Sequence, residues 1–182
     1  MPFTFSKMSV PDVILIQPRV FSDPRGSFAE LIKASDFRAN GVSAAFVQVN
    51  YSISRKNVLR GLHYQLKPGA QAKLVSVTRG EIFDAAVDIR RGSPTYGQWT
   101  VDRLSGGNKK MLFIPEGFAH GFCILSDEAE VVYYCSEEYD PVLDRNILWN
   151  DPAIAIPWPV KAPLLSAKDA RGPLLAAAEN NF

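Results

Sequence analysis

From residue 13 to residue 135 the chain is a succession of short runs rich in aromatic and β-branched residues, each cut off by Gly, Pro, Asp or Asn. Ten runs read as strands: VILIQP (13–18), FAELI (28–32), FVQVNYSIS (46–54), VLRGLHYQ (58–65), AKLVSVT (72–78), EIFDAAVDI (81–89), QWTVDRL (98–104), KMLFIP (110–115), HGFCIL (120–125) and EVVYYCSE (130–137). Gly80, SGGN (105–108) and SDE (126–128) stand at the joints, where turns need them. Helix is expected only over about 35–40, stopped by Gly41, and in a short piece near 166–170. So many short strands bury their apolar faces by closing into a barrel or stacking as two sheets, so the expected class is all-β, a jelly roll or a barrel.

The length of 182 residues and a 47% hydrophobic content suit one domain spanning 1–182. Its core is expected at about 13–137. Residues 138–182 carry Pro141, Pro152, Pro157, Pro159, Pro163 and Pro173 and read as an irregular segment wrapping over that core. Lys and Arg number 20 against 19 Asp and Glu, so no net basic field draws a nucleic acid, and an anionic ligand must be caught locally. The apolar run VILI near the start falls far short of the ~18 residues of a membrane span, so the chain reads as cytoplasmic. Cys123 and Cys135 lack CxxC spacing and read as buried free thiols.

The two histidines, His63 and His120, both fall inside expected strands. A lone strand histidine is ordinarily structural, but Arg60 precedes His63 by three positions and Lys73 follows one strand later, which suits an anionic substrate. Strict alternation puts Arg60 and His63 on opposite faces. Gly61 between them marks a candidate bulge that would re-aim one of them. Gln48 and Asn50 share a strand face, as do His120 and Phe122. Tyr133 shares a face with Val131 and Cys135, and Tyr134 points the other way. FSDPRGSFAE (21–30) combines a turn at Asp23-Pro24 with Arg25 and Glu30, which stand on either side of Phe28. Two strand histidines with no HxH pair argue against a metal centre, and neither an activated serine nor a phosphate-cradling glycine loop is present.

Taken together, FSDPRGSFAE, FVQVN, VLRGLHYQ, AQAKLV, GEIFDAAVDIR, SPTYGQW, IPEGFAHGF, VVYYCSEEYDP, ILWNDP and LLSAKDA closely resemble the dTDP-4-dehydrorhamnose 3,5-epimerase family. The resemblance spans nearly the whole chain. It implies a cupin jelly-roll barrel with short peripheral helices and an irregular C-terminal tail, working as a homodimer with neither metal nor other cofactor. It also implies a dTDP-linked 4-keto-6-deoxyhexose substrate inverted at C3 and C5. A ketone at C4 acidifies both positions, so the site needs a base, a stabiliser for the enolate oxygen and an acid on the opposite face.

By the resemblance, His63 is the base, Asp169 its carboxylate partner, Tyr133 the acid and Lys73 the residue that neutralises the enolate oxygen. Arg25, Glu30, Gln48, Asn50, Arg60, Lys73, His120, Asp144 and Lys168 match substrate-binding positions, those of the Arg25–Glu30 region reaching the site from the partner chain. Asp144 departs from the glutamate common in the family, which puts the nucleotide preference in question. Two other readings stay open at this point. One is an epimerase inverting only one carbon of a related nucleotide-linked keto sugar, and the other is a cupin that binds a sugar without turnover.

Overall fold

The computed structural model describes residues 2–182. In chain order the elements are β1 (Phe3–Lys7), β2 (Ile14–Pro18), β3 (Val20–Asp23), β4 (Gly26–Ala29), α1 (Ala34–Ala39), β5 (Gln48–Arg55), β6 (Leu59–Gln65), β7 (Lys73–Arg79), β8 (Glu81–Asp88), β9 (Trp99–Ser105), β10 (Met111–Ile114), β11 (Phe118–Ile124), β12 (Glu128–Cys135) and β13 (Asp144–Asn146). Two antiparallel sheets face each other. One runs β1-β2-β10-β7-β12-β5 and the other β13-β6-β11-β8-β9, while β3 and β4 form a separate hairpin.

The two-residue period of the strands decides what lies where. Val75, Val77, Ile82, Ala86, Phe118, Phe122, Ile124 and Val131 point between the sheets and form the central core. Their neighbours point outward and need other cover. On the six-stranded sheet Leu74, Met111 and Phe113 pack under Phe37 of α1 and Phe3, whose rings meet edge to face at 5.3 Å. On the five-stranded sheet Ala85, Val87 and Ala119 lie under Ile147, Ile154, Ile156 and Leu175 from the C-terminal segment. Each such side chain contributes about 1.5–3 kcal/mol when fully buried, so the proline-rich segment is held on apolar area although it contains little regular structure.

The all-β, two-sheet expectation holds, with local differences. The run at 28–32 is not a core strand: β4 ends at Ala29, and Phe28 is 66% exposed on the hairpin. The sheets gain β1 before the first expected strand. They also gain β13 from within the C-terminal segment, a three-residue edge strand paired with β6. Near 166–170 the chain forms a 3-10 turn at Asp169–Arg171, where Gly172 and Pro173 leave no room for a longer helix.

Candidate active site

The strands leave a pocket of about 260 Å³ at one end of the space between the sheets. Its floor on the five-stranded side is β6. His120 of β11 pairs with His63, and Phe122 pairs with Arg60, so β6 carries one more residue than β11 across this interval. The extra residue is the bulge that Gly61 signalled. Gly61 sits at φ 122°, and a Cβ there would lie 2.5 Å from the Gly121 Cα, so both the conformation and the close approach demand glycine. The bulge brings Arg60 and His63 into the same pocket, against strict alternation.

His63 is partly exposed to the pocket, and its Nε2 lies 2.5 Å from Asp169 Oδ1. The second carboxylate oxygen of Asp169 accepts from the Ser166 hydroxyl at 2.8 Å, and that hydroxyl in turn accepts the Asp169 amide N–H. Burial opposes charge on Asp169. The hydrogen bonds from His63 and Ser166, with the Lys168 ammonium nearby, outweigh it and hold the carboxyl below its ordinary value. A firmly ionised Asp169 accepts a hydrogen bond from His63 Nε2–H and leaves Nδ1 as a lone-pair acceptor.

The opposite wall comes from the six-stranded sheet. Tyr133 faces the pocket from β12, whereas Tyr134 points outward to pack on Phe46, as alternation requires. Burial pushes the Tyr133 phenol up, with Cys135 adding to the effect and Arg60 opposing it, so the phenol keeps its proton at neutral pH. Lys73 pairs with Cys135 across β7 and β12 and is buried; desolvation lowers its ammonium, partly offset by Cys135 and Asp144. Asn50 donates to Cys135 Sγ at 3.6 Å and accepts from Gln48 at 3.0 Å, which fixes both amides on the pocket face of β5.

At the rim, Asp144 of β13 accepts from the Tyr139 hydroxyl at 3.1 Å and from the Lys168 ammonium. The Tyr139 amide N–H donates to Gln48 Oε1 at 2.8 Å, tying the rim to β5. Tyr139 is 55% exposed and presents a flat face beside these charges. The Arg60 guanidinium is held by Ser54 Oγ through Nε and Nη2. Deeper in, His120 is 6% exposed and its Nε2 lies 2.7 Å from the fully buried Asp84 Oδ1.

The model of a single protein family, described as dTDP-4-dehydrorhamnose 3,5-epimerase, matches residues 7–177. The chain belongs to that family. A dTDP-4-dehydrorhamnose 3,5-epimerase from Shigella flexneri is 55% identical over 167 residues, covering 91% of this chain and 92% of the relative. The dTDP-6-deoxy-D-glucose-3,5-epimerase of Legionella pneumophila, solved in complex with dTDP-4-keto-L-rhamnose, superposes with a TM-score of 0.92 at 45% identity, covering 96% of this chain and 94% of that one. A 3'-monoepimerase from Streptomyces bikiniensis in complex with dTDP-quinovose gives 0.87 at 34% identity, covering 93% and 86%. The fold is the cupin jelly roll of these epimerases.

Of the residues that the likeness to these epimerases singled out in the sequence, Gln48, Asn50, Arg60, His63, Lys73, His120, Tyr133, Asp144 and Lys168 line the one pocket. Asp169 stands behind His63. Arg25 and Glu30 do not reach the pocket within the chain: Arg25 lies at the hairpin tip, paired with Asp23, and Glu30 sits beside Arg19 and Lys33. Sequence reasoning missed Tyr139 and Asp84. The signal for Asp84 was present, because in EIFDAAVDI it shares the inward face with Ile82 and Ala86, a position where a charge needs a reason.

Proposed function

We propose that this chain is a dTDP-4-dehydrorhamnose 3,5-epimerase. It converts dTDP-4-keto-6-deoxyglucose to dTDP-4-keto-L-rhamnose by removing and returning protons at C3 and C5. The observation that carries the proposal is the opposition of His63 and Tyr133: an imidazole acceptor on the five-stranded sheet faces a protonated phenol on the six-stranded sheet across one pocket. Inversion needs a base on one side of a carbon and an acid on the other.

In this reading His63 Nδ1 takes the C–H proton, the C–H electron pair becomes the enolate C=C bond, and the carbonyl electrons move to O4. The Lys73 ammonium stabilises that oxygen, and Tyr133 delivers a proton to the opposite face. Asp169 holds the tautomer and stabilises the imidazolium that forms. Arg60 and Lys168 supply charge for the diphosphate, and the exposed Tyr139 ring offers the base a stacking surface.

The active unit in this reading is a homodimer of 182-residue, single-domain chains, working in the cytoplasm; among the described residues no helix is long and apolar enough to cross a membrane. What supports the dimer is unpartnered surface. β5 is a sheet edge whose outward side chains Val49, Tyr51 and Ile53, with Val47 just before them, are all more than half exposed, and among the described residues the β3–β4 hairpin pairs with no other strand. A second copy covering this face would bring Arg25 and Glu30 to the neighbouring pocket. Val49→Asp is expected to give monomers in sedimentation velocity and to lower turnover sharply; a fully active monomeric variant would overturn the shared-site reading.

Incubation with dTDP-4-keto-6-deoxyglucose in deuterated water tests the reaction. Deuterium at both C3 and C5 is expected. Label at C3 alone would identify a monoepimerase like the Streptomyces bikiniensis relative, and label at neither carbon would leave only a binding protein.

A further inference from the structure

The pocket holds two histidine–aspartate pairs, not one, and they are cross-strand neighbours: His63 and His120 occupy the same register position on β6 and β11. They differ behind the ring. Asp169 has a hydroxyl donor on its second oxygen, whereas Asp84 Oδ2 is buried with no hydrogen-bond partner among the described residues.

We propose that Asp84 is a positioning residue for the epimerisation, fixing His120 with its free ring nitrogen, Nδ1, protonated and aimed into the pocket as a donor to the oxygen that becomes the enolate. The inference rests on the function proposed above. His120 Nδ1 makes no hydrogen bond among the described residues and is not sealed from the pocket that the residue lines. Its Nε2 is committed to Asp84 Oδ1.

Consider the protons that this pair can hold. With one proton, between Nε2 and Oδ1, Nδ1 is a lone pair and the pair carries a net negative charge. With two, the pair is neutral and Nδ1 carries a hydrogen, wherever the shared proton lies. The surroundings select the second arrangement. Desolvation, and after it the Asp102 carboxylate, disfavour a charged Asp84, and His120 is the group that opposes them. Asp102 is the register partner of Asp84 on β9 and has its own cation in Lys110, so it offers Asp84 no proton and no relief. On the pocket side the titratable and charged groups are Arg60, His63, Tyr64, Lys73 and Tyr133, with Tyr139, Asp144 and Lys168 at the rim. Two imidazoles side by side are thus driven to opposite roles, one an acceptor and one a donor.

The protein contains only two histidines, so a sample labelled with 15N-histidine shows two rings and no others. In the substrate-free enzyme at neutral pH, one ring is expected with Nδ1 protonated and the other with Nδ1 as a lone pair. Spectra of His63→Asn assign the protonated one to His120. In Asp84→Asn, where the amide oxygen accepts from Nε2–H at no cost in charge, His120 is expected to lose its Nδ1 proton at neutral pH. kcat should fall about 10²-fold, the scale of one lost oxyanion donor, with KM changed less than about threefold. Its kcat–pH profile should gain an alkaline limb that the parent lacks, which a merely structural role for Asp84 would not produce. A wild-type His120 without a proton on Nδ1 at neutral pH overturns the proposal, as does an unchanged profile in Asp84→Asn. The nitrogen spectra need no substrate, so they fail or succeed independently of the deuterium experiment, which alone tests the reaction.

Discussion

The two histidine–aspartate pairs share a pocket, a register position and a ring-to-carboxylate contact, and they differ in what the far carboxylate oxygen touches. At His63 that oxygen meets the Ser166 hydroxyl on an irregular segment arriving from the C-terminal end of the chain; at His120 it lies deep between the sheets with no hydrogen-bond partner among the described residues. A carboxylate with two donors stays ionised and makes its histidine a base, whereas one with a single donor in a dry place makes its histidine hold a proton. The loop-borne pair is therefore the one suited to move protons, and the strand-borne pair the one suited to stay fixed while they move.

The largest expected effect separates the two rings by activity. His63→Asn should reduce deuterium exchange at both C3 and C5 by about 10³-fold or more, the scale of a lost general base. His120→Ala should cost about 10²-fold, and His120→Asn, which restores an N–H donor, should recover part of that. Equal losses in His63→Asn and His120→Asn would break the comparison, because a base cannot be replaced by an amide and a donor can.

Next in size is the bulge that sets both rings in the pocket. Gly61→Ala puts a methyl group 2.5 Å from Gly121 Cα and 2.7 Å from the His120 carbonyl oxygen, at a φ of 122° that alanine resists. A loss of about 3 kcal/mol in urea unfolding is expected from overpacking and backbone strain together. Any folded fraction should show impaired turnover, since β6 and β11 cannot both keep their places. An alanine variant as stable as the parent would remove the bulge as the device that aligns Arg60 with His63.

How much of this was legible in the sequence depends on which physics wrote it. Alternation placed Tyr133 inward and Tyr134 outward, and the glycine inside VLRGLHYQ announced a bulge, because period and φ are local properties. The role of Asp169 was carried by likeness alone. Nothing local says that LLSAKDA returns to β6, since that contact spans more than a hundred residues. FAELI read as a strand because an apolar residue facing its own core and one left exposed have the same pattern; Phe28 is exposed. The strand β13 was invisible for the opposite reason. DRN is polar at every position and pairs only because the chain is already laid against β6.

The smallest effect concerns stability and has opposite signs at the two carboxylates. Asp169 has a folded value below its ordinary 3.8, so its partners contribute stability that is present above 3.8 and lost as pH falls through the lower folded value. Asp84 is raised above 3.8: the folded state holds its proton more tightly than the unfolded chain does, so stability present in acid declines as pH rises from 3.8 through the folded value. Asp169→Asn should therefore lower stability at pH 7, by about 2 kcal/mol for the charge-assisted bonds weakened, and the gap to the parent should narrow as pH falls below 3.8 through the folded value. Asp84→Asn should match or exceed the parent at pH 7, since the amide keeps an acceptor for His120 Nε2–H and offers its own N–H toward Asp102, and that advantage should vanish in acid. Thermal melts of the two variants from about pH 2 to 7.5 check both signs at once. A variant pair that melts in parallel across this range would mean that the carboxylates sit in equivalent environments, and the assignment of one ring as base and the other as fixed donor would lose its physical ground.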